Sequence, residues 1–278
     1  MHGMHARLPK NFVLEERLER YADAIELCPT KLAGHWAEAC YPLEEGDGRP
    51  TRFREVRLDL GCGKGHFSAE SAVREPDVLF VGVDAEPICI AYAAQKAIEE
   101  GLYNMVLVPG SGEQVANMFG PGEVARIHLN FPTPYPRKRE ASKRLVILER
   151  LLEYRSILAP GGEVALKTDS QPLRDFALTQ FELAGYTISW RSDNARAEHP
   201  DDPSSEYEER LSSQGAPVYA VYATPGKLPQ EIKQTASLSL VDYLPSDLQS
   251  IGYIPHGMQG TVVNLRNRAI RRQQRMES

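Results

Sequence analysis

From Val56 onward, short β-branched runs alternate with longer stretches in which apolar residues recur every three or four positions. The first kind of run reads as a buried strand, and the second as an amphipathic helix packed on a sheet. The alternation pairs a strand at Val56–Leu60 with a helix over Ser68–Arg74, Leu79–Asp84 with Ile88–Glu100, and Met105–Val108 with Glu113–Met118. It continues with Ala125–Phe131 and Lys143–Leu158, then Glu163–Thr168 and Leu173–Ala184. Strands separated by helices of this length form βαβ units, whose right-handed crossovers make the sheet parallel. Tyr186–Trp190 and Val218–Tyr222, with a polar loop between them, close the pattern as a hairpin-like pair. The prediction is an α/β fold: a doubly wound, mostly parallel seven-stranded sheet of Rossmann-like type over residues 51–225.

The flanks are patterned differently. Residues 1–50 read as an N-terminal extension, with an amphipathic helix at Val13–Cys28 and a turn-rich linker at Pro42–Pro50. After Pro225 the chain contains Pro and Ser and only short apolar runs as far as Pro255, and Gln259–Arg275 reads as a strand or loop leading into a basic helix. Residues 226–278 are therefore set apart as a C-terminal extension.

Composition narrows the class. A chain of 278 residues, 42% hydrophobic and 25% charged, suits one sizeable core with appendages. No apolar run approaches the roughly 18–20 residues a spanning helix needs, and Met1–Asn11 lacks the apolar stretch of a secretory signal. The expectation is a cytoplasmic protein with no membrane contact. Cys28, Cys40, Cys62 and Cys89 never form a CxxC pair, and the seven histidines lack metal-ligand spacing, which predicts free thiols and no metal site. Nothing in the chain chooses between a monomer and a homodimer.

A formal charge of −6 argues against a protein that coats itself in phosphate, but local clusters decide nucleic-acid binding. Arg137, Lys138, Arg139, Lys143 and Arg144 share one stretch; Arg266, Arg268, Arg271, Arg272 and Arg275 share another. The second cluster reads either as a phosphate-binding arm or as a helix packed with its arginines outward.

Candidate chemistry begins at the end of the first strand, in Asp59-Leu60-Gly61-Cys62-Gly63-Lys64-Gly65. Glycines there let the backbone turn tightly and approach a ligand. Asp84 ends the second strand, placed to meet a ribose diol. The GxGxG spacing differs from the GxGxxG of dinucleotide sites, and a carboxylate at Asp59 suits an amino-acid-bearing ligand better than a pyrophosphate. Both features favour S-adenosylmethionine over NAD. The fourth strand ends in Asn130-Phe131-Pro132-Thr133-Pro134-Tyr135-Pro136, directly before the first basic cluster. A proline-stiffened loop beyond a strand's carboxyl end would line the ligand pocket, and the basic run suits phosphate contacts.

On this strand-four motif the chain resembles the tRNA (guanine-N7-)-methyltransferase family. The cofactor loop at Leu58–Phe67, the end of strand five at Leu166-Lys167-Thr168-Asp169 and the segment Ser205-Glu206-Tyr207-Glu208-Glu209-Arg210 carry the likeness further. Gly215-Ala216-Pro217-Val218-Tyr219 resembles the family's last strand, so the similarity runs from about Phe12 to Thr224. The resemblance implies S-adenosyl-L-methionine as cofactor and tRNA as partner, with a guanine N7 of the variable loop as acceptor. It puts Asp59, Gly61 and Gly63 at the cofactor's amino-acid end, Asp84 at its ribose, and Ser111 and Asn130 beside it. Thr168, Asp169, Ser205 and Glu208 fall in the guanine pocket, and Arg139, Lys143, Arg144 and Arg210 become candidates for RNA phosphate contact or pocket structure. Thr133 and Asp169 occupy the catalytic positions. Thr133 stands where the family has aspartate, Tyr135 where it has tryptophan and Glu140 where it has histidine. Ser111 stands for the acid expected near the adenine, with Glu113 as a substitute. These departures keep two other readings open: a non-catalytic relative that binds tRNA or cofactor, and a methyltransferase with another acceptor.

Overall fold

The computed structural model describes residues 12–39, 41, 51–255 and 257–277. The linker expected at Pro42–Pro50, the segment Met1–Asn11 and Cys40 lie outside the described residues. Seven strands form one sheet: β1 (Glu55–Leu60), β2 (Val78–Asp84), β3 (Met105–Pro109), β4 (Val124–Asn130), β5 (Leu158–Thr168), β6 (Tyr186–Ser192) and β7 (Tyr219–Pro225). Their order is β3-β2-β1-β4-β5-β7-β6. The first five run parallel, and β7 is antiparallel to both of its neighbours. The last pair is therefore a hairpin as expected, but β7 inserts between β5 and β6.

Strand composition explains the layering. In β2, Leu79, Val81 and Val83 join one hydrophobic cluster while Val78 and Phe80 join the other. A strand buried on both faces must be apolar throughout, since successive side chains point to opposite sides. One face is covered by α2 (His66–Arg74) and α3 (Pro87–Glu99), and the other by α4 (Leu148–Ile157) and α5 (Gln171–Leu183). Short helices α6 (Ala195–Glu198) and α7 (Glu206–Ser213) occupy the polar loop between β6 and β7.

Several expected helices are shorter than their pattern. The one at Val13–Cys28 is α1 (Leu14–Arg20) followed by a 3-10 turn at Ala22–Ala24. Ile25 then bridges to Leu107, so the chain leaves the helix to extend the sheet edge. Glu113–Met118 reduces to a 3-10 turn at Val115–Asn117. The helix expected at Lys143–Leu158 starts only at Leu148, as α4, after a 3-10 segment at Lys138–Lys143. At the other end, α8 (Gln259–Glu277) is helical from its start, where a strand or loop was expected.

Both extensions enter the core. Trp36 is fully buried, its indole nitrogen donating to the Met118 carbonyl at 2.7 Å. Leu240, Met258 and Val262 of the C-terminal segment are equally buried. Among the described residues, no helix is long and apolar enough to cross a membrane.

Candidate functional site

The carboxyl ends of β1, β2, β4 and β5 lie side by side, and the candidate residues gather there. The turn after β1 has φ values of 83° at Gly61, 55° at Gly63 and 76° at Gly65. Side chains rarely adopt this left-handed region, which is why glycine occupies it. The three glycines then differ. A β-carbon at Gly61 or Gly63 would meet nothing within 4 Å, so both border open space. One at Gly65 would come within 2.7 Å of the Ala93 β-carbon; this glycine serves helix packing.

Asp84 ties the turn to β2, accepting from the Gly63 amide at 2.9 Å and the Glu86 amide at 2.8 Å. Burial raises its carboxyl above the ordinary value, against the pull of these amides. It remains partly exposed, as a ribose partner must. The open cradle at Gly61 and Gly63, flanked by a half-exposed carboxylate, fits the amino-acid and ribose ends of S-adenosylmethionine.

Asp59 departs from its expected place. It is 1% exposed, accepting from the Ser68 hydroxyl at 2.6 Å and the Asn130 amide nitrogen at 3.4 Å. It supports the turn from beneath instead of presenting its carboxylate to a ligand, and Asn130 is engaged with it. Burial pushes the Asp59 carboxyl up to about 6, opposed by those two hydrogen bonds. The folded state thus keeps this proton where the unfolded chain has lost it, so stability falls as pH rises from about 4 to about 6. Above that window the buried charge costs about 3 kcal/mol. Asp59→Asn is expected to raise the unfolding free energy by about 2 kcal/mol at about pH 8, with the gain vanishing near pH 4. Urea unfolding across pH checks this; a gain that persisted at low pH would exclude ionisation as its cause.

Ser111 lies in the half-exposed loop after β3. Glu113 does not replace the missing acid: it is exposed and reaches Arg150 at 3.6 Å.

The strand-four loop is strained and latched. Phe131 and Tyr135 have φ of 52° and 45°, the non-glycine residues with positive φ among those described. Such conformations cost about 1–3 kcal/mol each and persist only where surrounding contacts impose them. At Tyr135, Arg144 supplies those contacts. It is 1% exposed, its Nε donating to the Pro134 carbonyl at 3.0 Å and its Nη2 to the Tyr135 carbonyl at 2.6 Å. Its guanidinium sits 4.5 Å from the Phe176 ring centre. Buried this way, the fork is turned to the loop backbone and away from solvent. Thr133 is exposed at the loop tip, as are Arg137, Lys138, Arg139 and Lys143, none of which forms an ion pair among the described residues. Arg210 is exposed and lies 5.2 Å from the Tyr207 ring centre.

The expected acceptor pocket divides. Asp169, just past β5, accepts at Oδ2 from the Tyr207 hydroxyl (3.3 Å) and the Tyr253 hydroxyl (2.5 Å). Phe131 meets the Tyr207 ring edge-on, centroids 5.3 Å apart. Thr168 is buried, its Oγ1 accepting from the Ser170 amide. Ser205 caps α7, accepting from the Glu208 amide at 3.1 Å. Glu208 also differs from its expected role. It is 1% exposed and pairs with Arg196 at 2.6 Å and Lys167 at 3.7 Å, so it is not free to meet a base. Burial lowers the Lys167 ammonium, and the Glu208 carboxylate pulls it back up.

Sequence reasoning missed Tyr207 and Tyr253. Tyr207 lay inside a segment already singled out. Tyr253 had no local signal, since its partner is 84 residues away. Among the described residues, no group of three or more His, Cys, Asp or Glu is arranged to hold a metal ion.

Known proteins resemble this chain on two levels. A family model described as "Putative methyltransferase" matches residues 54–221. A tRNA (guanine-N(7)-)-methyltransferase of Lactiplantibacillus plantarum is 33% identical over 198 residues, covering 70% of this chain and 87% of that protein. One of Streptococcus uberis is 30% identical, covering 78% of this chain and 99% of that protein. Among solved structures, the 16S rRNA methyltransferase KamB superposes with a TM-score of 0.50 at 18% identity, covering 63% of this chain and 89% of that one. That last likeness concerns the fold.

Proposed function

The chain belongs to the tRNA (guanine-N7-)-methyltransferase family, and from that premise we propose that it methylates N7 of a guanine in tRNA. The observation that carries the reading is how the exit of β4 is strung between two half-sites. Asn130 reaches back to Asp59 under the glycine turn, while the Phe131 amide donates to the Lys167 carbonyl of β5 at 2.8 Å, beside Asp169. The strand-four loop thus separates a cofactor cradle from an acceptor pocket.

S-adenosylmethionine, held by the glycine turn and Asp84, supplies an electrophilic methyl group. Guanine N7 carries a free lone pair at neutral pH, so its methylation needs no general base. The protein's task is alignment, which by itself supplies much of the acceleration of such reactions. The latched loop fixes one wall of the pocket, and Asp169 with Tyr207 fixes the other. Arg137, Lys138, Arg139, Lys143 and Arg210 are placed to meet RNA phosphates, where counterion release favours binding. On α8, Arg268, Arg271 and Arg275 are exposed and offer further cationic contacts, whereas Arg266 is engaged with backbone carbonyls. The proposed place of action is the cytoplasm, and the acceptor guanine is assigned to the variable loop on the resemblance.

Transfer of labelled methyl from S-adenosylmethionine to unmodified tRNA, followed by nucleoside analysis, tests the proposal. Label in 7-methylguanosine supports it. Label in another nucleoside moves the acceptor, and tRNA retention without label leaves a binding-only relative. Thr133 gives a sharper test. A carboxylate beside the imidazole ring stabilises the positive charge that develops on the base, an effect worth about 2–4 kcal/mol when preorganised. Solvent at this exposed position screens it, so Thr133→Asp is expected to raise kcat by about tenfold. An unchanged or lower kcat would place Thr133 away from the acceptor ring.

A further inference from the structure

We infer that the C-terminal extension completes the acceptor pocket, with Tyr253 as a positioning residue for Asp169; this rests on the reading of that pocket as the base site. The matching family model stops at residue 221, so the extension lies outside what that model describes. It nevertheless grips both loops that border the pocket. The Leu240 amide donates to the Pro136 carbonyl at 3.1 Å, and a β-carbon at Gly257 would lie 3.4 Å from the Pro134 ring. The Ser170 hydroxyl donates to the Met258 sulfur at 3.3 Å, and Met258 is fully buried. Between these anchors the Tyr253 hydroxyl reaches Asp169 at 2.5 Å. Arg266 of α8 braces the approach to Tyr253, donating to the Leu248 carbonyl at 2.9 Å and the Ile251 carbonyl at 2.7 Å.

The chemistry of this contact is one-directional. Burial and the neighbouring Asp169 carboxylate raise the Tyr253 phenol, so it stays protonated and donates. Two phenols occupy Oδ2, and Oδ1 has no hydrogen-bond partner among the described residues. An ionised carboxylate has about four lone-pair positions, so Oδ1 remains competent to accept. The two phenols fix the carboxylate's plane, and Oδ1 faces an incoming purine in one orientation. Guanine offers donors on its N1 and N2 edge and acceptors at N7 and O6. A carboxylate selects the donor edge, which directs N7 away from it. Tyr253 thereby sets which edge of the base faces the methyl donor, from a segment outside the matched methyltransferase region.

The test compares the full-length chain with Tyr253→Phe and Tyr253→Ala, measuring kcat and KM for unmodified tRNA and calorimetric affinity for S-adenosylhomocysteine. Removing one hydrogen bond to a charged partner is expected to lower kcat by about tenfold in Tyr253→Phe. KM for tRNA and S-adenosylhomocysteine affinity should stay within about twofold. Removing the ring in Tyr253→Ala should lower kcat by about a hundredfold. A merely structural tyrosine would be replaced by phenylalanine without loss of kcat, so a Tyr253→Phe variant with unchanged kcat overturns the inference. A joint loss of kcat and S-adenosylhomocysteine affinity overturns it too, because the effect is then not confined to the acceptor side. If the wild type transfers no methyl group, the parent reading fails by itself, and guanosine monophosphate binding decides the pocket. Binding that Tyr253→Ala weakens by about tenfold upholds the pocket; equal or absent binding rejects it.

Discussion

Replacing Arg144 by methionine should lower methyl transfer by about a hundredfold or more while leaving S-adenosylhomocysteine binding intact. Tyr135 keeps positive φ because the Arg144 fork occupies the Pro134 and Tyr135 carbonyls. Methionine fills a similar volume over Phe176 but offers no donor, so those carbonyls lose their buried partner and the loop relaxes. The loop then no longer defines the gap between cofactor cradle and acceptor pocket, and misplacement by about 1 Å is enough to cost two orders of magnitude. Lysine should not rescue, since a single ammonium cannot bridge two carbonyls with the geometry of a planar fork. Among the described residues no hydrogen bond joins Gly61 or Gly63 to Arg144, which is why cofactor affinity is the control. A methionine variant within about threefold of wild-type kcat would show that the loop keeps its shape without the latch.

The second large effect concerns stability. Glu208→Ala is expected to destabilise the protein by about 3–5 kcal/mol, because it leaves the Lys167 ammonium buried without its counter-charge. Lys167 is on β5, its side chain only 7% exposed. Arg196 also loses its partner, but it is more exposed and keeps the Pro200 and Asp202 carbonyls at 2.8 Å. For a chain of this size the loss corresponds to a fall in Tm of about 10 °C. Pairing Glu208→Leu with Lys167→Met should recover most of it, since an apolar pair of similar volume often matches a buried ion pair. Differential scanning calorimetry of the single and double variants decides. A single variant within about 1 kcal/mol of wild type would mean that solvent reaches Lys167 when Glu208 is gone.

The extent to which this protein was legible in its sequence depends on the range of the interactions involved. The strands were read within a residue or two at most ends, because burial on both faces forces continuous apolar runs with little ambiguity. Helix lengths were read less well. The stretch from Val13 to Cys28 has helical spacing, yet Ile25 leaves it to pair with Leu107, a partner 82 positions away that no local pattern reveals. The glycine turn and Asp84 were identifiable because their requirements are local: positive φ at Gly61 and Gly63, and a carboxylate at the end of the next strand.

Charged residues were the least legible. A glutamate in a polar segment gives the same sequence signal whether it meets solvent, a base or a buried lysine, and only the packing of α7 against β5 assigns Glu208 to Lys167. Arg144 is likewise indistinguishable in sequence from its exposed neighbours in the basic run, until the turn at Lys138–Lys143 carries it inward over Phe176. The residue pattern alone determined the doubly wound sheet and the ligand end of that sheet, because periodicity and backbone requirements are written over a few neighbouring positions; the chemical family came from the resemblance of its motifs. The tertiary structure alone decided which carboxylates are free, which arginine is a latch, and that Tyr253 in an appendage reaches Asp169, because those facts depend on desolvation and on contacts between segments far apart in the chain.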